Sequence, residues 1–256
     1  MMSLQLPTPS TPLTPASFVS SIAALDRFKR EDAALAALLA GNVPACMRTF
    51  VDVSTDFVDD TGAQHQLTVR VLPDVLCVGS DDDRLRLPLM PLTAQKVADA
   101  WSCVLPTPKL VRLVWDAAAK VPPEPWGPPY DATMMGTDRI VAHNTKVDAA
   151  VLALKLDPTG LLSGHKKDVV LTTQLVTHPR QVAIFGWFKT DGHPIQPLYL
   201  GHENTYADYS HGIRMVSREC ILDGNVVDLA AVLQDPHLSM GVSDEGPLTL
   251  VRQPLT

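Results

Sequence analysis

From residue 20 to 40 the apolar positions recur at helical spacing, and Gly41 follows as a C-cap, so the first predicted element is a helix. The period then falls to two. Residues 49–53, 66–72, 75–78 and 84–89 predict strands, separated by Asp- and Gly-containing turns at 59–62 and 79–83. The alternation Arg84-Leu-Arg-Leu leaves one strand face wet. Two helices come next: Thr93 is the expected cap of 94–101, and Thr107, with Pro108 at the first helical position, caps 109–119. Residues 121–131 hold too many prolines for a helix and are read as a wall over a cleft, with a linker as the alternative, because Trp126 and Tyr130 sit among them. A further helix is expected at 144–156, with Asn144 as its cap and His143 before it, ending at Asp157-Pro158. Short strands at 168–173, 181–188, 195–200 and 213–217 and a short helix at 226–233 complete the pattern, and no internal repeat is present. The sum is an α+β fold, a mainly antiparallel sheet with segregated helices. Residues 1–16, rich in Pro, Thr and Ser, read as a flexible extended arm ahead of a single domain at 17–256 that carries its site in the C-terminal half.

Composition narrows the function classes. The 256 residues are 46% hydrophobic and 19% charged, enough for a full core in one large domain. A net charge of -7 argues against nucleic acid as a partner, since such binders need a basic face. No window is long and apolar enough for a membrane span, and the first ten residues lack the basic and apolar regions of a signal peptide. The expected location is therefore cytoplasmic, or exported by a non-Sec route. Four cysteines, Cys46, Cys77, Cys103 and Cys220, lie far apart without a C-x-x-C pair, so reduced thiols are expected rather than disulfides or an all-cysteine zinc site.

Candidate chemistry concentrates in residues 196–216, which hold Tyr199, Tyr206 and Tyr209, His202 and His211, Glu203 and Asp208, and Arg214 between two apolar segments. An ordinary connecting loop has no reason to gather His, Tyr and Arg. Asp208 is close enough in sequence to orient His211 as a general base, and Arg214 is suited to a carboxylate or phosphate. A second group, Ser163-Gly-His-Lys-Lys-Asp168, presents His165 beside Lys166 and Lys167, whose charges favour a neutral imidazole. Three chemistries are open. A thiol hydrolase would use Cys103, which precedes the 109–119 helix, with a later histidine as base, although Cys103 lies ahead of the cap and gains little from the helix dipole. A metal-dependent hydrolase would draw on His165, Asp168, His202 and His211 around zinc, without any compact zinc motif. A metal-independent lyase, or a module binding an anionic glycan, would use the same Tyr, His, Lys and Arg, with Trp187, Tyr199 and Tyr206 stacking on sugar rings.

The strings Gly164-His-Lys-Lys-Asp-Val-Val-Leu171, Val182-Ala-Ile-Phe-Gly-Trp187, Pro194-Ile-Gln-Pro-Leu-Tyr199 and Asp208-Tyr-Ser-His-Gly-Ile-Arg214 resemble an uncharacterised bacterial protein family over roughly residues 41–247. That resemblance implies no named activity. Ser210-His-Gly-Ile-Arg214 is loosely similar to the Ser-His-Gly-Cys-Ile-Arg signature of L,D-transpeptidases but lacks the nucleophilic cysteine between Gly212 and Ile213. The order of thiol helix and histidine strands is similar to papain-like cell-wall amidases. Both comparisons imply cleavage of a cell-wall or other polymer. The expectation is a hydrolase acting on an amide or ester of a polymeric or peptide-like envelope substrate. His211, His165, Asp208 and Cys103 are its candidate catalytic groups, and Arg214, Lys166, Lys167, Tyr206, Tyr209, Trp187 and His202 its substrate-binding groups. No metal ligand is assigned, zinc remaining an option. A structural or phage-type assembly protein is the remaining alternative.

Overall fold

A computed structural model describes residues 2–254 and has the α+β architecture expected from the pattern. The predicted first helix is two helices, α1 (Pro15–Ile22) and α2 (Arg27–Leu39), because Asp26 breaks the run by accepting from the N–H groups of Phe28 and Lys29 as the cap of α2. The N-terminal arm is extended but docked. Ser3 bridges to Thr49, Leu4 is buried, and the Arg48 guanidinium holds the carbonyls of Leu6, Pro7 and Gly41.

The strands β1 (Val51–Val58), β2 (Gln64–Val71), β3 (Cys77–Gly79) and β4 (Arg84–Arg86) follow. Helix α3 (Pro91–Ala100) starts at Pro91, so Thr93 is an internal helical residue and not the cap; Glu31 instead accepts from the Met90 N–H at this helix start. After β5 (Cys103–Val104), α4 (Pro108–Ala117) is capped by Thr107 as expected. Short β6 (Ala119–Lys120) leads to the proline-rich loop, and α5 (Thr137–Ala153) begins seven residues earlier than predicted. Asn144 is therefore not an N-cap. It lies mid-helix, where its amide bonds the Arg84 carbonyl, the Arg86 guanidinium and Asp148.

The remaining strands are β7 (Leu162–Ser163), β8 (Lys167–Val169), β9 (Gln181–Phe188), β10 (Pro194–Glu203), β11 (His211–Gly212), β12 (Val216–Ser217), β13 (Glu219–Leu222) and β14 (Asn225–Asp228). Residues 226–228 are strand rather than the start of the last helix, α6 (Leu229–Gln234). Six strands form one sheet in the order β14-β13-β2-β12-β5, with β1 also on β2. A second sheet runs β10-β9-β8-β11. Pairing is antiparallel except for β11 on β8 and β6 on β7. One continuous apolar core spans both sheets and α4, whose Trp115 stacks on Phe188 of β9. Among the described residues no helix is long and apolar enough to cross a membrane.

Candidate functional site

The parallel pair β8–β11 brings the two polar groups of the sequence side by side, with His211 opposite Lys167 and Gly212 opposite Asp168. Only glycine fits at 212, since a Cβ there would stand 2.7 Å from both Lys166 Cβ and Val75 Cγ1. The result is a set of ionisable side chains inside the protein, an expensive arrangement unless each charge finds partners.

The deepest part is structural. Asp74 accepts from Arg86 Nε and His165 Nε2, each at 2.9 Å, and Arg86 also reaches Asp148 at 2.7 Å. Burial works against the Asp74 charge, but Arg86 and His165 outweigh it and hold the carboxyl well below the usual carboxylate range. Burial pulls His165 down to about 4 against the opposing pull of Asp74, so this imidazole is neutral, as its lysine neighbours suggested. It is 1% exposed and serves the fold, not a cleft. Arg214 is equally internal: its two terminal nitrogens donate to the carbonyls of Leu72 and Leu162, tying the end of β2 to β7, so it is not available to an anionic substrate.

A second tier lies between this network and the surface. Lys166 Nζ donates to His143 Nδ1 at 3.1 Å and to the Tyr209 carbonyl, and burial, then Arg86, lowers its pKa to about 7. Burial raises Asp168 to about 7, and among the described residues nothing hydrogen-bonds its Oδ1. Tyr209 packs against His143, Trp126 and Trp187, and its hydroxyl accepts from the Trp126 N–H at 2.7 Å. Trp187 adopts a φ of 56°, an unusual backbone for a bulky residue, and its ring lies 6.0 Å from Lys167 Nζ. Lys166, Tyr209 and Trp187 thus form the wall behind the cleft and do not line it.

The cleft itself has a volume of about 430 Å³ and is lined by Tyr130, Asp131, Ala132, Met134, Met135, His202, Tyr206 and Asp208. The proline-rich loop is its wall, supplying Tyr130 and Asp131, and Trp126 anchors that loop between Arg139 and Lys146 of α5. Asp208 forms the floor. It accepts from Tyr206 Oη at 3.0 Å, Lys167 Nζ at 2.9 Å and the Ser210 N–H at 2.8 Å. Burial disfavours its charge, but the Lys167 ammonium and the N–H and hydroxyl of Ser210 outweigh that, and its pKa lies well below the ordinary value.

His211 departs from the expected role. The Asp208 backbone N–H donates to its Nδ1 at 2.9 Å, while the Asp208 carboxylate lies 3.2 Å from the same atom. An amide always carries its proton, so Nδ1 supplies the lone pair and the neutral ring carries its proton on Nε2. Burial lowers the His211 pKa, and Nε2 is enclosed without a partner among the described residues. A fully buried imidazole whose one lone pair is taken is not a general base. The histidine that faces the cleft is His202, at the end of β10. Its ring stacks on Tyr206 at 4.0 Å, and no described residue hydrogen-bonds either ring nitrogen. Burial and Lys167 lower its pKa, which keeps it neutral at neutral pH.

Two other expectations fail on geometry. Cys103 lies in the other sheet, paired with Ser217, and burial pushes its thiol up to about 12, so it is not a nucleophile. His165 and His211 belong to separate networks outside the cleft lining, and among the described residues no three His, Cys, Asp or Glu side chains come together to hold a metal, which removes the zinc set His165, Asp168, His202 and His211. Sequence reasoning missed Asp131, Met134 and Met135. The Asp131-x-Thr133 pattern, in which Asp131 accepts from the Thr133 N–H, was the available signal. Comparison with protein-family models, with curated proteins and with solved structures finds no match.

Proposed function

We propose that the protein is a hydrolase of an amide or ester, with the cleft over Asp208 as its site and His202 as the general base. The observation that carries this reading is the state of His202: in the cleft, neutral, and with both ring nitrogens free of described protein partners. In the proposed step His202 takes a proton from water as the water oxygen bonds the substrate carbonyl carbon. It returns that proton to the departing nitrogen or oxygen as the scissile bond breaks. Asp208 fixes the Tyr206 hydroxyl, and the Tyr206 ring in turn supports the imidazole by stacking. Buried groups poised near neutrality, Lys166 and Asp168, add support, because pKa values displaced this far cluster at working sites.

The test is turnover of a panel of chromogenic esters and anilides by the wild type and by His202→Gln. Loss of about a hundredfold or more in kcat, with an unchanged melting temperature, is expected. An active wild type matched by an equally active variant contradicts the base assignment. A ligand-binding cleft without turnover is the second reading, favoured by the mutual saturation of Asp208 and Lys167, and a wild type inactive on the whole panel would support it.

A further inference from the structure

The cations expected to hold an anionic substrate are spent inside the protein. Lys166 bonds His143, Lys167 bonds Asp208 and Arg214 bonds two carbonyls, while Arg139, the cation beside the proline-rich loop, lies over the Trp126 ring at 4.2 Å. What faces the cleft is the opposite chemistry. Its lining contains two carboxylates, Asp131 and Asp208, and neither Lys nor Arg. The Asp208 charge is balanced directly by Lys167, whereas the Asp131 carboxylate accepts from the N–H and hydroxyl of Thr133, feels the Arg139 charge without touching it, and has no direct ion pair among the described residues. Three rings surround these groups: Tyr130, which is 75% exposed, and the stacked pair His202–Tyr206. A carboxylate beside open aromatic faces recognises an ammonium group, by ion pairing on one side and cation–π attraction on the other. The net charge of -7 adds a long-range field of the same sign, attracting cations and repelling anions.

We infer that the cleft takes a ligand bearing a protonated primary amine, held between Asp131 and the rings of Tyr130 and Tyr206. Amino sugars and lysyl side chains both present this group. The inference rests on the cleft being the working site, and it refines the substrate of the proposed hydrolase from anionic to cationic.

The test is calorimetric titration of the full chain with glucosamine trimer, its N-acetylated counterpart, a uronate trimer and trilysine, at low and high salt. Acetylation leaves the sugar rings in place and removes the charge, so the glucosamine trimer should bind at least about fivefold tighter than its acetylated form, and less so at high salt. Asp131→Asn should remove most of that difference. Because Asp131 also caps the turn at Ala132–Met135, Tyr130→Ala provides an independent variant at an exposed ring and should weaken amine binding by several-fold. Preference for glucosamine trimer over trilysine identifies an amino sugar; the reverse identifies a lysyl chain. Equal binding of the acetylated trimer, tighter binding of the uronate trimer, or no binding of either amine overturns the inference. Turnover of uncharged esters without amine binding would sink this inference and leave the hydrolase standing. Amine binding with no hydrolysis of any ester or amide would do the converse.

Discussion

Asp168 offers the sharpest check on the physical reasoning, because two of its neighbours pull in opposite directions. Burial raises its pKa from 3.8 to about 7, while Arg214 favours the ionised form and is outweighed. The folded protein therefore keeps this carboxyl protonated between those values, while the unfolded chain ionises it. Stability from this group is fully present below pH 3.8 and is lost as pH rises towards 7, after which the loss is constant. At about 1.4 kcal/mol per pH unit, the burden at pH 8 is roughly 4 kcal/mol. Asp168→Asn removes the charge and keeps the shape, but its amide N–H groups meet the unfavourable neighbour Arg214, so about 2–4 kcal/mol of stabilisation should be realised at pH 8. That corresponds to a melting temperature higher by roughly 5–15 °C in a chain of this size, shrinking towards zero at pH 4. Urea unfolding of wild type and variant at pH 4, 6 and 8 reads the difference directly. A variant destabilised at pH 8 by several kcal/mol would show that Asp168 is ionised and paired with Arg214, and that burial had been given too much weight.

Other consequences concern the network and the thiols. Asp74→Asn strips the buried Arg86 of its carboxylate and should cost about 3–5 kcal/mol in urea unfolding, whereas Asp74→Leu combined with Arg86→Met should cost less; a single-variant loss below about 1 kcal/mol would refute the network. Gly164 has a φ of 107° and its added Cβ would stand 2.5 Å from the Val121 carbonyl oxygen and 2.6 Å from the Trp115 ring, so Gly164→Ala should destabilise by about 2 kcal/mol or more, and a neutral thermal melt would contradict the packing. Burial raises the Cys46 and Cys103 thiols to about 12 and Cys220 to about 11, so Ellman's reagent at pH 8 should react slowly with the native protein and quickly in urea. Turnover should survive Cys103→Ala, and a fast native thiol traced to Cys103 would count against its inert placement.

The strands were legible because alternation and Asp/Gly turns are local signals, and β9 was placed at its observed bounds of 181–188. Element ends were less so. Apolar spacing continued through the break at Asp26, and α5 starts at Thr137 after Gly136, which caps it without any side-chain bond. At the site, the residue types of the 196–216 stretch were informative, but their roles depended on long-range pairing. Lys166, Lys167 and Arg214 read as substrate-binding cations, since charged residues are rarely buried. Long-range packing turns them inward onto carboxylates and carbonyls, the parallel contact of β11 with β8 for Lys167 and the carbonyls of Leu72 and Leu162 for Arg214. A local turn sets the Asp208 backbone N–H against His211 Nδ1, a detail no motif encodes, and His202 is the histidine that lines the cleft.

The most direct measurement of that claim is a pH titration of the histidine side chains by ¹⁵N-edited NMR, which reports both tautomer and ionisation for each ring. His202 should titrate below its ordinary value and respond to ligand, while His143 and His165 stay neutral from pH 8 down to pH 5 and His211 is neutral at pH 8 with its proton on Nε2 and titrates below its ordinary value. A His211 that titrates near neutrality with its proton on Nδ1, beside a His202 indifferent to ligand, would return the base to His211 and contradict the site as drawn.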